Sequence, residues 1–96
     1  MSADRLNRIE QKLRESLSPS ELELQDESHL HAGHAGARDG RGHFRVSIVS
    51  ERFDGVSRLK RHRLVYDALG PEMQRDIHAL AIEAFTPQEW DARSQA

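Results

Sequence analysis

Two stretches of strand character, the alternating His43–Arg52 and the apolar Ile77–Phe85, are separated by a segment with helical rather than strand patterning. This separation most limits how the chain can fold. Strands joined through a helix cannot form a hairpin. They pair in parallel, through a right-handed crossover that packs the intervening helix against one face of the sheet. In the first stretch Phe44, Val46 and Ile48 share one face, with Arg45 and Ser47 on the other. The second is apolar and of strand length, with His78 near its start on the face that alternation assigns to Leu80 and Ile82. Between them, Phe53-Asp54-Gly55 reads as a turn. Ser57 is placed to cap a helix that runs to Leu69, with Leu59, His62, Val65, Tyr66 and Leu69 along one side. Gly70 suits the position just past that helix, and Pro71 suits the first turn of a short second one.

The remaining segments fill in the order. Leu6, Ile9, Leu13 and Leu17 recur at 3–4–4 spacing, the stripe of an amphipathic helix. Ser2 or Asp4 caps its start and Ser18-Pro19 ends it. Ser20–Glu27 alternates, with Leu22 and Leu24 on one face, and reads as a strand that pairs with the next across a loop. That loop, residues 28–42, contains Gly33, Gly36, Gly40 and Gly42 and is expected to be flexible. Thr86-Pro87-Gln88-Glu89 opens a terminal helix with a capping box and carries Trp90 into a polar tail at about 92–96. The expectation is one α/β (α+β) domain over residues 1–96, ordered α-β-β-α-α-β-α. It has a three-stranded mixed sheet with helices on one face.

Composition narrows the function. Fourteen basic against sixteen acidic residues give a formal charge of −2, unlike a strong nonspecific nucleic-acid binder. The chain has no cysteine, so it offers no disulfide, thiolate nucleophile or Cys-based zinc site, which fits a reducing compartment. No segment has the pattern of a signal peptide or a membrane span, and a cytoplasmic protein is expected. No nucleophile–base constellation, phosphate loop or Gly-x-Gly-x-x-Gly is present, so neither enzymatic activity nor a small-molecule substrate is expected.

Histidine is the chemistry-bearing residue. Taken alone, His34 in the glycine-rich loop reads as a solvated side chain or a ligand, and His78 as a half-buried histidine or a ligand. His29, His31 and His34 form a His-x-His-x-x-His run that suits adventitious divalent metal, and His43 begins the second strand nearby. His62 reads as a packed histidine. Arg58, Lys60, Arg61 and Arg63, with Arg45 and Arg52 near them, form a basic patch. That patch is a solvated helix face, a phosphate contact or a dock for acidic groups.

The run HFRVSIVSERFDGVSRLKRHRLVYDAL (His43–Leu69), followed by IHAL (Ile77–Leu80) and TPQEW (Thr86–Trp90) and preceded by DESHLHAGHAG (Asp26–Gly36), resembles the BolA family over roughly residues 6–92. The resemblance implies a fold like a class II KH domain. It also implies partnership with a monothiol glutaredoxin, a shared [2Fe–2S] cluster, and a role in iron homeostasis or cluster delivery. Gly33-His34 matches the family's Gly-His motif and Ile77-His78 its second ligand motif, so the implied ligands are His34 and His78. His43, His31 and His29 are the alternatives in the loop region. The implied sulfurs come from the glutaredoxin cysteine and a bound glutathione, and no cluster is expected in the isolated chain. Two neutral imidazoles on one iron and sulfurs on the other resemble Rieske-type ligation, which acid disrupts by protonating the imidazoles. His62 is the implied neighbour of that site. Some family members bind DNA as transcription regulators, so the alternative function is DNA binding through the helix 57–69. The turn Phe53–Arg58 lacks the GXXG clamp of a KH domain, which argues against single-stranded RNA.

Overall fold

The 3–4–4 stripe folds as its spacing predicts. In the computed structural model, which describes residues 2–27, 42–75 and 77–95, α1 (Ser2–Leu17) buries Ile9, Leu13 and Leu17 and half-buries Leu6. The helix ends at Ser18, whose φ of 45° is left-handed and whose N–H donates to the Arg14 carbonyl at 3.2 Å. Strand β1 (Glu21–Asp26) pairs antiparallel with β2 (Gly42–Val49), from Glu21 opposite Val49 to Asp26 opposite Phe44. The second strand ends earlier than its composition suggests. Ser50 breaks it, and Glu51–Phe53 form a single 3₁₀ turn capped by the Ser50 hydroxyl, which accepts from the Arg52 N–H.

The crossover is present. Helix α2 (Arg58–Leu69) starts at Ser57, whose hydroxyl accepts from the Lys60 N–H at 3.3 Å, and ends at Gly70 with a φ of 54°. A short helix, α3 (Glu72–Arg75), leads into β3 (Ile77–Phe85), which pairs in parallel with β2. The sheet order is β1-β2-β3, a mixed sheet with β2 at its centre. Helix α4 (Pro87–Gln95) begins with the expected capping box. Thr86 Oγ1 accepts from the Glu89 N–H, and the Thr86 N–H donates to Glu89 Oε1. Residues 92–95, expected as tail, continue this helix.

The core lies between one sheet face and α1 with α2: Ile9, Leu13, Leu17, Phe44, Val46, Ile48, Phe53, Val65, Leu69 and Ile77. Buried polar groups tie its margins. The Ser50 hydroxyl donates to the Leu17 carbonyl at 2.6 Å and its N–H to the Phe85 carbonyl at 3.0 Å, joining α1, β2 and β3. Glu72 is buried against Arg8 at 3.6 Å and Lys12 at 3.9 Å, which fastens α3 to α1. No helix of the described residues is long and apolar enough to cross a membrane.

Helix α2 departs from its predicted face. Its buried positions are Arg61, Val65 and Leu69, while Leu59 is 74% and Tyr66 39% exposed. The helix is rotated so that an arginine occupies the place read as belonging to Leu59 and His62.

Candidate functional site

One end of the sheet carries His43 and the backbone of His78. There β1 ends at Asp26, β2 begins at Gly42, and β3 begins at Ile77. The two ends of the 28–41 segment are pinned together. The Glu27 N–H donates to the His43 carbonyl at 2.7 Å, and Arg45 Nε pairs with Glu27 Oε2 at 3.3 Å. Gly42, the last residue of the loop predicted over 28–42, is a strand residue, and positions 28–41 of that prediction lie outside the described residues. A Cβ at Gly42 would lie 2.5 Å from the Phe44 ring and 3.0 Å from Arg5 Nη1, so only glycine lets these groups close over the backbone.

The register there is irregular. Gly42 stands opposite Ile77 but His43 opposite Ala79, so the chain takes two steps on β3 for one on β2. His78 is the extra residue of a β-bulge, a device that redirects the chain next to functional sites and is rare in parallel pairs. The bulge also explains a phase change. Ile77 is in the core, yet Leu80, Ile82 and Ala84, which strict alternation from Ile77 would exclude, are partly buried against it. The face predicted for His78 by alternation with Leu80 and Ile82 therefore does not follow. Only the backbone of His78 is among the described features. His29, His31 and His34 lie outside the described residues. Among described side chains His43 is the histidine at this end, 8% exposed, on the sheet face opposite the core side chains Phe44 and Val46. Among the described residues no three His, Cys, Asp or Glu side chains converge to hold a metal ion.

The predicted basic patch divides. Arg61 is 8% exposed and fully engaged. Its Nε donates to the Val56 carbonyl at 2.8 Å, Nη1 to the Ala84 carbonyl at 3.1 Å and to Glu89 Oε1 at 2.6 Å, and Nη2 to Glu89 Oε2 at 3.3 Å. It fastens α2, β3 and α4, with its guanidinium turned to these internal partners. Arg58, Lys60 and Arg63 remain exposed on α2, whose first turn has no acid. Hydropathy does not reveal an arginine at a core position, although the Thr86–Glu89 box was a signal that Glu89 would be fixed nearby.

His62 is half-buried in a groove of about 580 Å³ between the start of α2 and Ile82–Phe85 of β3. His78 lies at least four residues back along that strand, roughly 13 Å at 3.3 Å per residue. The groove runs along Ile82–Phe85, toward the end of β3 away from the bulge.

Comparison with known proteins agrees with this architecture. The family model described as BolA-like protein matches residues 13–89. BolA-like protein 1 of Homo sapiens is 52% identical over 87 residues, covering 91% of this chain and 61% of that protein. The DNA-binding transcriptional regulator BolA of Haemophilus influenzae is 39% identical, covering 91% of this chain and 82% of that protein. The solved BolA domain of SufE1 from Arabidopsis thaliana superposes with a TM-score of 0.76 at 49% identity, covering 86% of this chain and 92% of that one. Several curated relatives are longer proteins, of which the chain spans from 24% to 62%.

Proposed function

Since this chain belongs to the BolA-like family, we propose that it handles iron–sulfur clusters as the partner of a monothiol glutaredoxin, contributing His34 and His78 as ligands to a shared [2Fe–2S] cargo. The observation that carries this reading is the bulge at His78, set at the end of the sheet where residues 27 and 42 bracket the segment containing His34. A bulge two residues into a nine-residue strand sacrifices ladder regularity where a structural strand would keep it. The donor set fits the cargo. Imidazole is a competent iron ligand, and a chain without cysteine must draw its sulfur ligands from another molecule. The cluster supplies iron and sulfide to a recipient. This chain would supply two imidazoles, His34 and His78, which coordinate iron in their neutral form. No catalytic role is assigned, and the reducing compartment suited to such a cargo is part of the same reading.

The test mixes the protein with a monothiol glutaredoxin, glutathione, iron and sulfide under anaerobic conditions and records visible absorption and circular dichroism. A spectrum distinct from that of the glutaredoxin alone is expected. His78→Ala and His34→Ala should each abolish it while far-ultraviolet dichroism stays native. A spectrum no different from that of the glutaredoxin homodimer overturns the reading. Retention of the mixed spectrum in His34→Ala moves the ligand to His43, His31 or His29.

A second reading is DNA binding. It is favoured by three exposed cations on one helix turn and a half, Arg58, Lys60 and Arg63, and by the name of the Haemophilus influenzae relative. Affinity for duplex DNA should then fall steeply with salt, and Lys60→Ala with Arg63→Ala should lower the salt slope by about two. A flat salt dependence removes this reading.

A further inference from the structure

We propose that the groove between α2 and the outer edge of β3 receives an extended peptide that adds as a fourth strand, apolar toward α2 and basic beside Glu83. The argument begins with the ladder. In a parallel pair only alternate residues of a strand direct their N–H and C=O toward a given neighbour. The Phe85 carbonyl accepts from Ser50 on the β2 side, so Glu83 and Ala81 also serve β2. Ala84, Ile82 and Leu80 then present their backbone outward. Arg61 confirms the parity, because its Nη1 reaches the Ala84 carbonyl from outside the sheet.

Beyond that contact no described strand pairs with the edge. β3 is terminal in the sheet, and among the described residues no hydrogen bond occupies the outward backbone of Ile82. Exposed edges of this length are normally blunted by an inward charge, a proline or a covering element. Here Arg61 stops the edge at Ala84 and leaves Leu80–Ile82 available. The groove beside it is walled by Arg58, Leu59 and His62 on the helix and by Ile82 and Ala84 on the strand. Leu59, at 74% exposure, is the most exposed large apolar side chain described, and it stands on that wall.

The occupant follows from charge on the two faces. Arg61 and Glu89 neutralise one another. That leaves two exposed charges among the residues lining the groove, Arg58 on the helix and Glu83 on the strand, the latter assigned by alternation to the face opposite Ile82 and Ala84. Side chains of an added strand alternate between these faces. Those directed at Leu59 and Ile82 are apolar, the one that reaches Arg58 is acidic, and the one beside Glu83 is basic. None of these observations uses a histidine ligand, so the inference does not rest on the cluster reading.

The probe is the capped heptapeptide VTVKVTE, titrated into the ¹⁵N-labelled protein and measured by amide shifts and by fluorescence anisotropy of a labelled copy. Saturable binding is expected, with the largest shifts at Leu80–Ala84 and Leu59–His62. N-methylation of alternate peptide nitrogens on the β3-facing side should weaken it about tenfold, since it removes ladder donors. Leu59→Glu, at an exposed position, should weaken it by a similar factor. Replacing the peptide lysine by glutamate should cost roughly threefold to fivefold, and Glu83→Lys should restore that loss for the glutamate peptide. Absence of saturable binding, equal affinity of the N-methylated peptide, or shifts confined to β1 overturns the proposal. A single-stranded oligonucleotide that saturates the same residues while the peptide does not overturns it in favour of nucleic acid.

Discussion

Arg61 and Glu89 meet as a fork on a fork, Nη1 to Oε1 at 2.6 Å and Nη2 to Oε2 at 3.3 Å, with the arginine buried and the carboxylate half exposed. Planar geometry makes the guanidinium irreplaceable here, because the same group also satisfies two backbone carbonyls. Arg61→Lys keeps the charge and loses the fork. It should lower stability by about 2 kcal/mol in urea unfolding, with the denaturant slope unchanged. Full retention of the midpoint would show that the fork contributes nothing.

The same pair predicts an acid response. Hydrogen bonds from Arg61, and then from the Thr86 N–H, hold the Glu89 carboxyl down at about 2, against an ordinary value of 4.5. The folded form therefore binds this proton less readily than the unfolded chain does. The stability it contributes is complete above about pH 4.5 and is lost as pH falls toward 2. In Glu89→Gln the fall in thermal midpoint across that window should be shallower than in the parent. Since the carboxylate is 47% exposed, solvent screens the pair, and added salt should shrink the difference.

Gly42 and Phe44 predict a steric coupling. A methyl at Gly42 would sit 2.5 Å from a ring that is itself 2% exposed and has no room to retreat. Gly42→Ala should cost about 1–3 kcal/mol. Combined with Phe44→Leu it should cost less than the sum of the two single changes, as a thermal double-mutant cycle would read. Strict additivity would mean that the ring does not constrain this position.

Ser18 offers the opposite sign. It is an exposed, non-glycine residue at φ 45°, just past the last turn of α1. A side chain in the left-handed region carries a penalty that glycine avoids. Ser18→Gly should raise stability by about 0.5–1 kcal/mol, a few degrees in the melting midpoint. A lower midpoint would show that the entropy of the unfolded glycine outweighs the relieved strain.

Much of this fold is legible in the residues. The stripe of Ile9, Leu13 and Leu17, the box of Thr86 and Glu89, and the cap at Ser57 are local signals, and each appears where its spacing places it. The crossover follows from helical patterning between two strands, a constraint of connection rather than of propensity. Two features escape such reading. The predicted face of α2 comprises Leu59, His62, Val65, Tyr66 and Leu69; Val65 and Leu69 are buried, but the third buried position belongs to an arginine held by Ala84 and Glu89, distant in the chain. No hydropathy pattern contains that information. The bulge at His78 is likewise invisible to alternation, since it is the point where alternation fails. At the candidate site, the position of His78 at the head of a strand was legible. The irregular register that sets it apart from Leu80 and Ile82 was not.

The parallel pairing of β2 with β3 sets how this chain arrives at its structure. His43 and Ala79 lie side by side although some three dozen positions separate them. Helix α2 is closed by local bonds and forms within about a microsecond, but the central ladder must wait until the whole crossover is looped back. The rate-limiting event is therefore expected to be the search that brings β3 to β2, on the millisecond scale typical of mixed topologies. Until that search succeeds, the apolar run Ile77–Phe85 has no neighbour to hide it, and a nascent chain halted before Phe85 emerges would be the form most prone to clump.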